Sequence, residues 1–100
     1  MDTDLSYDNL SKQLNTTFEV EHEHADVQLE LTEVSNRKLR ERQEEFSIVF
    51  RGPTDRLLSQ GMWSMKHTQL GEFELFIVPI RKQADGLYYE AIFNRFLDPV

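Results

Sequence analysis

Three histidines are the side chains of this sequence best suited to metal binding or proton transfer. His22 and His24 stand two apart in EVEHEHAD, so an extended strand presents both on one face, with Asp26 close behind. Imidazole and carboxylate are ligands that zinc accepts, but a zinc site needs three or four of them. His67, far along the chain, is the one further imidazole. We therefore predict solvated or structural histidines, with His22, His24 and His67 as weak metal candidates and no cofactor.

The sequence offers little for catalysis. It has no cysteine, so it lacks a thiolate nucleophile and a thiolate metal ligand. No serine or acidic residue stands at a spacing that marks a catalytic triad around His67. Two glutamate pairs, Glu19 with Glu21 and Glu72 with Glu74, fall two residues apart. That spacing is typical of the wet face of an amphipathic strand. We predict that the protein is not an enzyme.

Aromatic side chains are the other group that could recognise a ligand. Trp63 and Tyr88 would stack a sugar ring or a base if both faced outward side by side. Aromatic residues on alternating strands more often fill a core, because each buries a large apolar area. A small-ligand or glycan-binding module that uses Trp63 and Tyr88 is therefore the alternative to the main hypothesis developed below.

A short helix and a β domain must position these side chains. Ser6 is a suitable N-cap, Tyr7, Leu10 and Leu14 form a narrow apolar stripe, and Asn15 is a suitable end. Residues 1–15 are thus predicted as a helical or flexible segment of two or three turns at most. From residue 16 the apolar period becomes two, which predicts a single antiparallel β domain over residues 16–100.

Six alternating runs predict the strands of that domain. They are TTFEVEH, DVQLELTEV, FSIVF, MWSMKHT, LGEFELFIVPIRK and LYYEAIFNRF. The charged stretch SNRKLRERQEE between the second and third runs predicts an exposed loop or a single helical turn. Hairpin-like links without βαβ alternation favour a mainly β fold, either a small antiparallel barrel or a two-layer sandwich. Past the last run, Phe96, Leu97 and Val100 stay apolar, so the tail packs on its own domain or on a neighbouring subunit.

Length and charge limit the class of protein. One hundred residues suffice for one core without a disulfide or metal. The formal net charge is -7, and residues 1–45 carry twelve acidic and five basic side chains. Binding to nucleic acid rests on phosphate neutralisation by clustered Lys and Arg, and the acidic excess of this chain argues against it. It also has no run of about 18 apolar residues to cross a bilayer. We predict a soluble, cytoplasmic protein with neither a nucleic-acid nor a membrane partner.

The segment from residue 16 to residue 95 resembles an uncharacterised bacterial family of small domains. The shared elements are an FRGP turn, a QG pair before an aromatic strand, H..LG, LF.VP and a closing YEA.FN, in this order and with matching gaps. Met62 and Trp63 depart from the pattern, since threonine and tyrosine are common there. The matching residues are Phe50, Arg51, Gly52, Pro53, Gln60, Gly61, His67, Leu70, Gly71, Leu75, Phe76, Val78, Pro79, Tyr89, Glu90, Ala91, Phe93 and Asn94.

The resemblance implies a context and gives meaning to some positions. Its members are associated with proteins similar to phage-tail collar or fibre components, which implies a structural or assembly role in the cytoplasm or in a phage-like particle. Four matching polar residues stand in a mostly apolar pattern, and we expect one hydrogen-bonded network or a binding site: Arg51, Gln60, Glu90 and Asn94. The main hypothesis is a non-enzymatic protein-interaction or assembly module that binds a protein partner or itself.

Overall fold

The protein is a six-stranded antiparallel barrel with one short helix. The structure, a computed structural model, describes residues 5–96, with the side chain of Asn36 excepted. Its elements are α1 (Tyr7–Ser11), β1 (Thr17–Val20), β2 (Val27–Arg40), β3 (Gln43–Gly52), β4 (Gly61–His67), β5 (Gly71–Gln83) and β6 (Gly86–Phe96). The strands follow one another around the barrel in the order β1-β2-β3-β6-β5-β4. The predicted mainly β fold is confirmed, in its barrel form, and Leu97 and Val100 lie outside the described residues.

Strand alternation builds the core as predicted. Phe18 and Val20 of β1 point inward, and so do the core residues of the other five strands. Phe18 meets the Phe50 ring edge-on, with 5.1 Å between ring centroids. Gly52 leaves room for the neighbouring Leu29 side chain, because a Cβ at Gly52 would lie 2.6 Å from Cδ2 of Leu29. The fully buried side chains are Tyr89, Phe18, Phe50, Leu10, Leu29, Leu31, Ile48, Leu58, Met65, Ile77, Val20 and Val27.

The barrel is closed unevenly. β3 and β6 pair along their whole length, from Gln43 opposite Phe96 to Gly52 opposite Leu87. By contrast, β1 and β4 complete the ring only at Glu19 opposite Lys66 and Val20 opposite Met65. β5 pairs with β4 through residues 71–77 and with β6 through residues 78–83. β5 therefore pairs with β4 in its first half and with β6 in its second half. The first half of β5 diverges from the second half of β6.

The charged stretch between the second and third runs is not a loop, so that prediction is wrong. β2 and β3 stay paired as far as Arg40 opposite Gln43, and a two-residue turn at Glu41 and Arg42 joins them. Arg42, the second residue of this turn, has a φ of 62°, in the left-handed region that some β-turns use at this position. Charged side chains are tolerated because this part of the sheet extends past the core. We call it the extension: residues 35–40 of β2, 43–46 of β3 and 91–96 of β6.

Helix α1 is shorter than the sequence suggested and lies on the core. Ser6 caps it by accepting a hydrogen bond from the backbone N–H of Asn9 at 3.1 Å. The helix ends at Ser11, well before Asn15, which adopts a φ of 67°. Leu10 is buried in the core, and the Tyr7 ring meets Phe46 edge-on at 5.7 Å. The helix thus covers the inner face of the sheet where the barrel passes into the extension.

The bend between β3 and β4 is anchored by a core tyrosine. The backbone N–H of Leu58 donates to the Tyr89 hydroxyl at 3.0 Å, and that hydroxyl donates to the carbonyl of Arg56 at 3.5 Å. Burial raises the pKa of Tyr89. Leu58 is buried while Leu57 beside it is exposed. Residues 53–60 are thereby fastened to the barrel by one buried side chain and one hydroxyl.

Among residues 5–96, no helix is long and apolar enough to cross a bilayer.

Candidate functional site

His67 is a structural residue at the mouth of the barrel. The backbone N–H groups of Gln69 and Leu70 donate to its Nδ1 at 3.0 and 3.2 Å. Its Nε2 lies 2.8 Å from Oγ1 of Thr16, and that hydroxyl donates to the carbonyl of Gln13 at 2.7 Å. Because Nδ1 accepts two hydrogen bonds, the proton must be on Nε2, which donates to Thr16. Both ring nitrogens are therefore occupied, and burial lowers the pKa of His67.

The other two histidines do not join His67 in a metal site. His22 stacks on the indole of Trp63, with 5.8 Å between ring centroids, and His24 lies 6.2 Å from His22. The side chain of His24 is 84% exposed beside Glu23. In the part of the chain that the structure describes, no group of three His, Cys, Asp or Glu side chains is placed to hold a metal ion.

Trp63 and Tyr88 lie on opposite faces of the barrel wall. Trp63 shares the inner face of β4 with Met65, packs against the core and donates from Nε1 to the carbonyl of Ser59 at 2.9 Å. Tyr88 lies on the outer face of β6, under the guanidinium of Arg81 at 4.3 Å from the ring centroid. A stacking platform shared by these two rings is therefore not available, because the wall of the barrel separates them.

The four polar residues expected to form one network lie in separate places. Gln60 is in the exposed bend before β4, and Glu90 is half-buried on the outer face of β6 between Val49 and Val78. Asn94 lies in the extension, where its Oδ1 accepts a hydrogen bond from Gln43. Arg51 belongs to another cluster, at the opposite end of β3.

The Arg51 cluster is a row of charges across the outer face. Arg51 forms an ion pair with Glu30 and lies 3.5 Å from a carboxylate oxygen of Asp85. The Tyr88 hydroxyl donates to Asp85 at 2.8 Å. The charge of Glu30 raises the pKa of Arg51, and the Tyr88 hydrogen bond lowers the pKa of Asp85. The cluster borders a shallow cavity of about 300 Å³, whose one cation already has two carboxylate partners.

A different surface stands out in the extension, along the second half of β6. Residues 91–96 pair with β3 on one side, and β5 has already diverged on the other. We call this segment, with its unpaired side, the β6 edge. Within residues 5–96, no other strand pairs with it. The outward side chains of Ile92 and Phe96 on it are 74% and 82% exposed. The β6 edge therefore combines a strand side that no described strand covers with exposed apolar side chains.

The inner face beneath the β6 edge is held in place by ion pairs and stacked rings. Glu44 is buried and accepts from Arg37 at 3.1 Å and from Arg95 at 2.9 Å. One layer closer to the barrel, the rings of Phe46 and Phe93 stack with 4.7 Å between centroids. These contacts lie on the face opposite to Ile92 and Phe96. They hold in place the part of the sheet that carries the β6 edge.

Comparison with known families places the chain. A family model described as Domain of unknown function (DUF6916) matches residues 5–93, which include α1, all of β1 to β5 and most of β6. The chain belongs to this family. The DUF6916 match begins eleven residues before the resemblance seen in the sequence, so the helix is part of the family unit. No curated protein and no solved structure matches the chain.

Sequence reasoning missed Ile92, which lies on the β6 edge of this DUF6916 domain, and Glu44, which lies beneath that edge. Ile92 was not singled out as a candidate, and Glu44 falls in the charged stretch predicted to be an exposed loop or a single helical turn. The available signal was the run YEAIFNRF, in which both faces of one strand carry large apolar side chains. A strand of that composition needs cover on both faces, and the structure covers only one.

Proposed function

We propose that this DUF6916 domain is a non-enzymatic protein-interaction or assembly module that binds through the β6 edge. One observation carries the proposal: among the described strands, none covers the second side of residues 91–96, and the side chains of Ile92 and Phe96 on this segment are exposed. Unpaired strand edges are templates for another strand, and natural proteins usually protect them with charges, prolines or bulges. In the β6 edge, the one charged residue is Arg95, which is turned to the inner face and bonded to Glu44.

The arrangement of the strands supports this use of the edge. Backbone groups along a free edge give a partner strand its affinity, while side chains on alternating faces select it. The β6 edge offers Ile92 and Phe96 on the outer face for such selection. Where β5 pairs with β6, a bulge falls between Pro79 and Arg81, and the pairing reaches no further along β6 than Glu90. Residues 91–96 therefore have no described strand on that side.

The non-enzymatic part of the proposal is supported by the state of the histidines. Both ring nitrogens of His67 are used in hydrogen bonds within the fold. His22 stacks on Trp63, and His24 points into solvent. An acid–base or metal role for any of them requires breaking contacts that hold the barrel mouth, or a partner group from outside.

Position-specific photo-crosslinking in the native cell tests the proposal. A photoreactive amino acid replaces Ile92 in one strain and Met62 in another, since Met62 is a similarly exposed apolar residue that lies on β4, opposite Phe76 of β5 and outside the β6 edge. We expect a discrete protein adduct from position 92 and none from position 62. The adduct should disappear when Asn94→Pro is added, because proline blocks strand pairing. Equal labelling from both positions, or none from position 92, would contradict binding at the β6 edge.

As a finer proposal, the assembly in which the protein takes part is a phage-tail-like structure, and the protein acts in the cytoplasm or within such a particle. The resemblance to the FRGP family pattern motivates this context. Tail particles purified from the native cells should carry the protein in a fixed ratio to a tail subunit, and Ile92→Lys should remove it from them. Particles that lack the wild-type protein, and form normally without its gene, would contradict this context while leaving the β6 edge untouched.

A further inference from the structure

We infer that the β6 edge pairs with the β6 edge of a second copy of this chain, in a two-fold symmetric dimer centred on Asn94. The inference rests on the proposed function, since it names the partner of the same surface. In such a dimer the two strands run antiparallel, and each Asn94 faces its counterpart across the axis. A closed two-fold contact of this kind uses one surface patch on both partners, so the patch must complement itself.

The outer face of the edge meets this requirement. Pairing around Asn94 places Ile92 of one copy opposite Phe96 of the other, and Phe96 opposite Ile92. Aromatic and β-branched side chains form favourable cross-strand pairs in antiparallel sheets. Both residues are largely exposed in the single chain, so the contact removes apolar surface from water. Each apolar side chain on the outer face of the edge therefore gains an apolar partner.

The inner face is complementary in charge. The same register places Phe93 of one copy opposite Arg95 of the other, so each guanidinium meets an aromatic ring. Arg95 keeps its hydrogen bond to Glu44 at 2.9 Å, since that contact lies within its own chain. Residues 91–96 carry no acidic side chain, although the whole protein has a net charge of -7. The edge is thus a place where two copies approach without opposing carboxylates.

Charge also distinguishes this dimer from an open chain of copies. Within the described residues, the second half of β2 pairs with β3 alone and has a free side of its own. That side carries Arg37, Lys38 and Arg40, so joining it to the β6 edge of another copy brings these cations toward Arg95. Like charges on neighbouring strands are unfavourable. The two-fold pairing avoids this arrangement and closes the assembly at two copies.

Sedimentation velocity of the full chain over a range of concentrations tests the dimer. We expect twice the monomer mass for the wild type. For Ile92→Lys we expect a dissociation constant at least about tenfold higher, because a lysine opposite Phe96 does not form the apolar pair. Met62→Lys is the matched control and should dimerise like the wild type. Circular dichroism shows that both variants are folded. A wild type that is monomeric at about 1 mM, or an Ile92→Lys variant that dimerises normally, overturns the inference.

A disulfide test fixes the register. The chain has no cysteine, so Asn94→Cys introduces a single thiol per copy. Directly opposed residues on antiparallel strands have Cα atoms about 4.5–5.5 Å apart, which is within reach of a disulfide. Under mild oxidation we expect Asn94→Cys to become covalently dimeric much faster than the control Met62→Cys. Equal rates for the two variants overturn the pairing around Asn94.

The outcomes separate the inference from the proposed function. A monomeric wild type whose position 92 still crosslinks to a different protein overturns the second copy and retains the interaction module. A dimer that ignores Ile92→Lys, with no adduct at position 92 in cells, overturns both.

Discussion

The strands β3 and β6 pass through two regions of contrasting character. In the barrel they contribute Phe50 and Tyr89, whose side chains are fully buried. In the extension the same two strands remain paired, yet Phe96 is 82% exposed and faces solvent. Backbone pairing is thus continuous, while the outer face of the sheet is open to solvent at the end of the extension. The difference shows that backbone pairing extends the sheet beyond the barrel, whereas contact with the apolar core determines how much each part of the sheet stabilises the fold.

The extension replaces apolar packing by charge. Glu44 is 3% exposed between Arg37 and Arg95, in the position that a core residue would occupy nearer the barrel. Desolvating such a carboxylate offsets much of its attraction to the arginines, so the cluster is weak evidence for stability. It does fix the geometry of the three strands, since the bonds reach from β3 to both neighbours. A region held in this way can present an edge without adding much to the free energy of unfolding.

The largest expected effect comes from one phenylalanine in each region. Phe50→Ala should lower the free energy of unfolding by about 3–5 kcal/mol, because it leaves a cavity beside Phe18 in the core. Phe96→Ala changes the same residue type on the paired strand and should cost less than about 0.5 kcal/mol. Urea denaturation of both variants, at a concentration where the chain is monomeric, gives the comparison. Equal losses would show that the extension and the barrel unfold as one equally packed unit.

The next effect tests how the barrel fastens its long bend. Tyr89→Phe removes the hydroxyl that accepts from the buried N–H of Leu58, and the loss should be about 2 kcal/mol because that donor has no replacement. Tyr88→Phe is the matched control on the outer face, where the lost bond to Asp85 lies near solvent and should cost less. Urea denaturation measures both. The order of the two losses is the result that matters, and a larger loss for Tyr88→Phe would contradict the assignment of faces.

A smaller effect is expected for the charge cluster of the extension. Glu44→Gln keeps the size of the side chain and removes the charge that binds Arg37 and Arg95, so the free energy of unfolding should fall by about 1–2 kcal/mol. Glu74→Gln, on the exposed outer face of β5, is the control and should change little. Hydrogen exchange at the amides of residues 91–96 should rise in the first variant only. Unchanged exchange would mean that the ring stack of Phe46 and Phe93 holds the extension alone.

Much of the fold could be predicted from the sequence, because the barrel obeys simple alternation. Phe18 and Val20 point inward as expected, and so do Phe46, Ile48 and Phe50. The extension could not be predicted in the same way. Its strands carry Arg37, Glu44 and other charged residues on the inner face. A search for alternating apolar and polar residues does not recognise a strand whose inner face carries ion-paired side chains.

The candidate site could be predicted even less. The residues singled out as a binding set, such as Trp63 and Tyr88, are separated by the barrel wall, because single strands do not reveal which faces of distant strands coincide. The β6 edge depends on where β5 leaves β6, after Val78 opposite Glu90. That point is fixed by the tertiary arrangement of the strands. Only the doubly apolar composition of β6 was visible beforehand.

The smallest expected effect is a pH dependence that belongs to the barrel. His67 is buried and neutral, and burial lowers its pKa below the ordinary value of 6.5. The unfolded chain therefore binds a proton more readily than the folded one, and stability is lost as pH falls below 6.5. One such group contributes at most about 1.4 kcal/mol per pH unit. The extension has no histidine, so this loss should start at the barrel mouth.

His67→Asn isolates this contribution, since the asparagine carbonyl can still accept from Gln69 and Leu70 but does not titrate. Thermal unfolding between about pH 7.5 and about pH 5.5, the range in which an ordinary histidine titrates, should show a shallower loss of stability in this variant than in the wild type. His24→Asn, at an 84% exposed side chain, should retain the wild-type slope. If both variants follow the wild type, His67 does not account for the acid sensitivity of the protein, and the barrel mouth is not where the loss begins.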